Sequence, residues 1–339
     1  MMINGHRVAI VGATGAVGQE ILTVLEERNF PIADLKLLAS ARSEGKKITF
    51  CGEELTVTEA KPSSFKNVDI AFFAGGSISK ELVPEAVKEG AVAIDNSSAF
   101  RLEPDVPLVV PEVNPDDVQN HRGIIANPNC STIIFVVPLK PLHDAARVKR
   151  AVVTTMQAVS GAGKQAIDEL VLQTKQVLAG EDVQQPEVFQ HQIAFNLIPH
   201  IDVFGDNKYS REEMKLLNES RKILHDPEIQ ITATTVRVPV LRSHSESVNI
   251  ETEKELTAEE ARNILNNAPG VVVEDEPENN VYPMPIFTSY RDEVFVGRIR
   301  KDYSQKNALN LWIVADQLRK GAATNAVQIA EILHSRNLL

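Results

Sequence analysis

The chain has 339 residues, 43% of them hydrophobic and 24% charged, with a formal net charge of −11. Such a length exceeds one small core and predicts two domains, while the acidic balance excludes a non-specific nucleic-acid partner, which needs basic patches. Two cysteines make no disulfide framework, residues 1–7 lack a signal-peptide apolar core, and no apolar run nears the ~20 residues of a membrane span. A cytoplasmic protein with no membrane partner is expected.

Val8–Val11 reads as a buried strand, and Gln19–Arg28 as a helix with Ile21, Leu22, Val24 and Leu25 on its inner face. Between them lie Gly12, Thr14, Gly15, Ala16, Val17 and Gly18, three glycines in a Gly-x-x-Gly-x-x-Gly spacing. Glycines at a strand–turn–helix junction permit a tight turn and close approach of a pyrophosphate to the helix N-terminus. Leu35–Ala39 is the second strand, and its end carries Ser40, Arg42 and Ser43 rather than an acid. A carboxylate there would bind the 2′-hydroxyl of NAD; an arginine between serines suits a 2′-phosphate, so the predicted cofactor is NADP. A solvated loop arginine is the other reading of Arg42.

Ile70–Ala74 and Val92–Asp95 are further strands with the helix Ser79–Glu89 between them, and Ile124–Ala126 runs into Asn127-Pro128-Asn129-Cys130-Ser131. Asn-Pro marks a tight turn, and Ser131-Thr132 can cap a following helix. A thiol at a helix N-terminus feels the positive end of the backbone dipole, which favours the thiolate. On this segment alone, a buried structural cysteine is equally consistent. Cys51 lacks a nearby basic partner and reads as structural.

Beyond Arg150 the expected order is strand Ala151–Val159, helix Lys164–Leu178, helix Arg211–Leu224, strands Ile231–Val238 and Val248–Thr252, helix Ala258–Asn266 and strand Val294–Ile299. The acidic stretch Glu274–Asn280 reads as a solvated loop, and the amphipathic segment Ala322–Leu333 is expected to pack on the first domain. The fold class is therefore α/β: a Rossmann-like domain (1–129 plus a C-terminal helix, about 318–339) and an α+β domain (130–317) with a largely antiparallel or mixed sheet. Glu219 and Lys222 are three apart on a helix and share a face, as a solvated ion pair would too. Arg237 and His244 are seven apart, so an uninterrupted strand would point them to opposite sides, and Pro239 implies a break. His191 and His200 read as structural, His225 as part of a helix-ending turn. No metal-binding motif occurs, so no metal is expected.

With these motifs the whole chain resembles the bacterial aspartate-semialdehyde dehydrogenases. The resemblance is carried by Gly12 to Gly18, Asn127 to Thr132, Ser97 to Arg101, Gln157 to Gly163, Glu219 to Lys222, Arg237 to Ser245 and Asp316 to Ala323. It implies NADPH-dependent conversion of L-aspartyl 4-phosphate to L-aspartate 4-semialdehyde and phosphate, at the branch toward lysine, threonine and methionine. It implies Cys130 as the nucleophile of an acyl-thioester, His244 as acid/base and Gln157 as an orienting group. Arg237 would bind the substrate carboxylate, Glu219 its amino group, and Arg101, Asn129 and Lys222 the phosphate. Thr14 to Val17, Arg42, Ser43, Ser160, Gly161 and Gln317 would line the cofactor site with Ser40 beside them, and Asn325 would lie near the nicotinamide. A homodimer through the second domain's sheet, or a higher homo-oligomer, is expected too.

Three other readings compete. N-acetyl-glutamyl-phosphate reductases carry Asn-Pro-Gly-Cys, whereas Asn129 precedes Cys130 here, and an acetylated substrate leaves Glu219 no ammonium. A coenzyme A-acylating enzyme does not explain Arg101 with Lys222. A non-catalytic NADP-binding protein does not explain Cys130, Gln157 and His244 together.

Overall fold

A computed structural model describes residues 5–339. They form two compact units, one of residues 5–129 with 322–339 and the other of residues 130–321.

In the first unit, β1 (His6–Val11), α1 (Ala16–Glu27), β2 (Ile32–Ala39), β3 (Lys47–Phe50), β4 (Glu53–Thr56), β5 (Thr58–Glu59), β6 (Ile70–Phe73), α2 (Ser79–Lys88), β7 (Val92–Asp95) and β8 (Ile124–Ala126) follow in order. The main sheet runs β5-β2-β1-β6-β7-β8, every pairing parallel. Val8 to Val11 and Ile70 to Phe73 are buried throughout, as expected where helices cover both faces of a parallel sheet. Strand order reverses at β1, and in open α/β sheets such a switch point is where ligands bind. The C-terminal helix, Thr324–Ser335, belongs to this unit and buries Ala326, Ile329, Ala330 and Leu333 in the same cluster as Ile21 and Leu25 of α1. Arg28 ties α1 to that helix through Glu331 at 2.7 Å.

The hairpin β3–β4 was not anticipated from the sequence. Its tip holds Cys51 at φ +48°, exposed to solvent. The thiol is thus a turn residue, not the structural cysteine expected.

The second unit comprises α3 (Cys130–Ala146), β9 (Val148–Gln157), α4 (Lys164–Ala179), α5 (Arg211–Leu224), β10 (Gln230–Arg237), β11 (His244–Thr252), α6 (Ala258–Asn266), β12 (Val271–Val273), α7 (Pro285–Thr288), β13 (Val294–Lys301) and β14 (Ala308–Ala315). Its sheet is mixed, in the order β10-β9-β11-β14-β13-β12, parallel at both edges and antiparallel between. β14 escaped the sequence reading, and β11 starts four residues earlier than expected, so that it contains His244. Within Glu274–Asn280, Asp275 departs from the expected solvated loop: its carboxylate is buried and holds Arg262 at 2.7 Å and the Ile299 N–H at 3.2 Å. No helix among the described residues is long and apolar enough to cross a membrane.

Candidate active site

In the first unit, Gly12 follows β1 at φ +86°, a conformation that favours glycine, and its N–H donates to Leu38 C=O at 2.8 Å. Gly18 is required for another reason: a Cβ there would lie 2.2 Å from the Gly12 carbonyl oxygen, so α1 could not press on the turn. Ala16, Val17 and Gly18 open α1, where N–H groups lack helical acceptors and the dipole is positive. This bare, N–H-rich turn fits a dinucleotide pyrophosphate. The loop after β2 closes on it, since Thr14 Oγ1 donates to Ser43 Oγ at 3.4 Å, while Ser40 and Arg42 are exposed beside it. Glu59 of β5 pairs in register with Ala39, an acid near the end of β2 that the sequence reading missed; Lys61 answers its charge at 2.5 Å.

The Asn127 turn is locked from within the same unit. Arg101, buried, donates through Nε to Asn127 C=O at 3.0 Å and through Nη2 to Asn96 C=O at 2.7 Å. Asn325 Nδ2 donates to Asn127 Oδ1 at 2.6 Å and to Val109 C=O at 2.9 Å. Asn129 is buried at the turn's end. Arg101 therefore braces the turn's backbone and Asn325 its Asn127 side chain.

In the second unit, α3 begins at Cys130 itself, so Ser131 and Thr132 lie inside its first turn rather than capping it. Cys130 is partly buried at the positive end of a 17-residue helix. Ser131 turns toward β9, where its Oγ accepts from Gln157 Nε2 at 3.0 Å. The same amide donates to Glu212 Oε1 of α5 at 3.2 Å. Gln157 thus stands between the first turns of α3 and α5.

The next residue, Ala158, joins the other two groups. Its N–H donates to His244 Nδ1 at 3.1 Å, and its C=O accepts from Arg237 Nη1 at 2.7 Å. Arg237 ends β10 and His244 opens β11, the strands on either side of β9. Seven-residue spacing could not predict this, because the two residues sit on different strands and the sheet order brings them together. Buried Arg237 has its pKa lowered by desolvation, against attraction from Glu212 and the Cys130 thiolate. The imidazole of His244 is fully buried, and desolvation followed by the Arg237 charge pushes its pKa well below 6.5. A neutral ring accepting at Nδ1 carries its proton on Nε2, and Nε2 has no hydrogen-bond partner among the described residues. Gly161 leaves room beside it: a Cβ there would meet Arg237 Nη1 at 3.1 Å and His244 Nε2 at 3.2 Å.

Gln317 fastens the neighbouring loops, donating to Ser160 Oγ at 2.6 Å and accepting from Ser243 N–H at 2.9 Å. Its amide holds Ser160 and Ser243 in place.

On α5 the structure brings a different pair to Gln157 than Glu219 and Lys222: Glu212 accepts from its amide, and Lys215 Nζ donates to Glu212 Oε2 at 2.9 Å and to Asp202 Oδ2 at 3.0 Å. Burial opposes the Lys215 charge, but Glu212 and Asp202 outweigh it and raise its pKa. Glu219 is buried two turns, about 10 Å, further along α5, and Lys222 lies in the last turn. Both pairs have the same Glu-x-x-Lys spacing, so the spacing alone does not separate them. The capping box of Ser210 and Glu213 was the available signal, since it fixes where α5 starts. Glu213 Oε1 also accepts from Thr235 N–H at 3.1 Å, securing that start to β10.

Of the other histidines, His191 is exposed, His200 stacks on Phe204 at 4.3 Å, and His225 ends α5 in a left-handed turn. Among the described residues no cluster of His, Cys, Asp or Glu is arranged to hold a metal ion.

Residues 7–121 match the family profile described as the semialdehyde dehydrogenase NAD binding domain, and residues 139–320 that of the semialdehyde dehydrogenase dimerisation domain. An aspartate-semialdehyde dehydrogenase of Aquifex aeolicus is 60% identical over 339 residues, spanning 99% of this chain and 100% of that one. The crystal structure of aspartate semialdehyde dehydrogenase II of Vibrio cholerae complexed with ASA superposes with a TM-score of 0.95 at 48% identity, over 98% of this chain and 99% of that one. A Candida albicans aspartate semialdehyde dehydrogenase with NADP superposes at 0.78 and 27% identity, over 99% and 100%.

Proposed function

The chain belongs to the aspartate-semialdehyde dehydrogenase family, and from that premise we propose that it reduces L-aspartyl 4-phosphate to L-aspartate 4-semialdehyde through a thioester on Cys130. The observation that carries this reading is the Gln157–Ala158 junction, which links Ser131, Glu212, Arg237 and His244 around one strand end.

The Cys130 thiolate, favoured by the α3 dipole and attracted to Arg237, attacks the acyl phosphate carbon. A carbon–sulfur bond forms, the carbon–oxygen bond to phosphorus breaks, and phosphate leaves with the electron pair. A bound reduced nicotinamide supplies the hydride for the next step. Reduction of the thioester carbon turns its carbonyl into an oxyanion, and Nε2–H of His244 donates to that oxygen. Collapse re-forms the carbonyl as the aldehyde and returns the thiolate. Accepting a thiol proton at Nδ1 is unfavourable while Ala158 N–H occupies it, so His244 acts as donor and Cys130 ionises independently of it.

Within the second unit, Glu212 carries the charge to meet the substrate ammonium, Lys215 that to meet phosphate, and Arg237 the fork for the carboxylate. The exposed Arg42 between Ser40 and Ser43, with the strand-end acid Glu59 already paired to Lys61, favours NADP. The dimerisation-domain match, with exposed Phe195, Ile286 and Phe287 in the same unit, supports a homodimer; sedimentation as a monomer at micromolar concentration would exclude it.

The decisive assay gives purified protein L-aspartate semialdehyde, phosphate and NADP, and follows reduced nicotinamide absorbance. Turnover is expected, and Cys130→Ala should lower it at least about a thousandfold. No turnover, or turnover indifferent to Cys130→Ala, refutes the reading.

A further inference from the structure

After β14 the chain tightens around Asp316, whose Oδ1 accepts from the N–H groups of Leu318 and Arg319. Gly321 N–H reaches back to Asp316 C=O at 3.2 Å, five residues earlier, and Arg319–Ala323 form a π-helical turn. Such turns carry one residue more than an α-helical turn and recur at functional sites. Here the wide turn brings a bare Cα against the first residue of α3. A Cβ on Gly321 would lie 3.0 Å from Cys130 Cβ, 3.4 Å from Cys130 Cα and 3.4 Å from Gln317 Cβ.

The backbone of Gly321 is not in the left-handed region, so its conformation does not call for glycine. The missing side chain is explained by space alone. Little around it can yield: Gln317 is fastened at both ends of its amide, and the Cys130 atoms it would strike are Cα and Cβ, the part of the residue fixed by α3. Any added carbon must therefore be accommodated by a shift of Cys130 of a few tenths of an ångström.

We propose that Gly321 is a positioning residue for the nucleophile: its bare Cα sets where Cys130 projects from the start of α3. The proposal rests on the reading of Cys130 as nucleophile. A thiol displaced by a fraction of an ångström keeps its fold and its substrate contacts but loses its line of attack, for which 1 Å costs on the order of a hundredfold.

The test uses a Cys51→Ser background, so that the exposed hairpin thiol does not react, and adds Gly321→Ala, Gly321→Val or Cys130→Ser. Alkylation of Cys130 by iodoacetamide, without cofactor, is followed by mass, and the pH midpoint of that reaction is recorded. Circular dichroism reports the folded fraction. Gly321→Ala should slow alkylation and lower kcat by roughly threefold to tenfold with KM nearly unchanged, Gly321→Val should do more, and the midpoint should move in both. Alkylation and kcat at the parental values in both variants, or losses that only track the folded fraction, would overturn the proposal. If Cys130→Ser still turns over at the parental rate, the nucleophile reading fails; if it is inactive while Gly321→Val is unaffected, only the role of Gly321 fails.

Discussion

The glycine turn after β1 and the centre around Gln157, proposed to serve the cofactor and the acyl group, are built from different materials. The turn works through backbone: Gly12 and Gly18 contribute the absence of side chains, and the α1 N-terminus contributes N–H groups. The second centre works through side chains drawn from α3, β9, α5, β10 and β11, fixed by hydrogen bonds to the Gln157 amide or to the Ala158 backbone. Backbone recognition is local in sequence and tolerant of what surrounds it. Side-chain convergence depends on sheet order, and the loss of one member disturbs its neighbours.

That contrast makes Arg237 the most damaging place to cut after Cys130 itself. Arg237→Leu removes the charge proposed to meet the substrate carboxylate and the donor that holds Ala158 C=O, so His244 loses part of its support. We expect kcat/KM to fall by about a hundredfold to a thousandfold, with affinity for the reduced cofactor unchanged within about twofold. Steady-state kinetics and nicotinamide fluorescence read the two quantities. A collapse of cofactor affinity would break the division between the two centres.

Next comes the choice on α5. Glu212→Gln should raise KM for the acyl substrate by about tenfold to a hundredfold, while Glu219→Gln should change it by less than about threefold. The reverse order would restore the sequence-based choice of Glu219. This pair also marks where the sequence stopped being readable. The glycine turn's placement was legible because strand, turn and helix are contiguous, and so were the places of Cys130 at the start of α3 and Gln157 on β9, each in a short motif. Glu212 was not, because a Glu-x-x-Lys spacing repeats on the same helix and only the position of the helix start separates the copies. The meeting of Arg237 and His244 was not legible either, since it follows from β9 lying between β10 and β11. β14 was missed because its run from Ala308 to Ala315 is too uniformly apolar for its periodicity to declare a strand.

Arg42 tests the backbone side of the comparison more gently. Arg42→Ala should weaken NADPH binding by about tenfold and leave NADH binding nearly unchanged, because only the former has a 2′-phosphate to lose an arginine. Equal losses for both would mean that the exposed guanidinium is a general anchor. No loss for either would leave it the solvated loop residue of the simpler reading.

The smallest effect concerns how far side-chain logic extends behind the acyl centre. Glu246 lies two residues beyond His244 on the same face of β11, opposite Thr155 of β9 and Ile313 of β14. Both its oxygens are buried without a partner, and desolvation raises its pKa well above the usual 4.5. The folded protein therefore keeps a proton that the unfolded chain releases above about pH 4.5, so Glu246 costs stability increasingly as pH rises, until the folded pKa is passed. His244 does the opposite: its lowered pKa costs stability as pH falls below 6.5, because only the unfolded ring then takes up a proton. Glu246→Gln leaves the histidine contribution in place and removes the carboxyl one. Urea unfolding should find the two proteins nearly equal near pH 4.5. Above that the variant should gain about 1.4 kcal/mol per pH unit relative to the parent, levelling off once folded Glu246 ionises. A difference that stays flat with pH would mean that Glu246 is ionised in the fold and has a partner there; it would then belong to the hydrogen-bonded centre instead of marking its apolar limit.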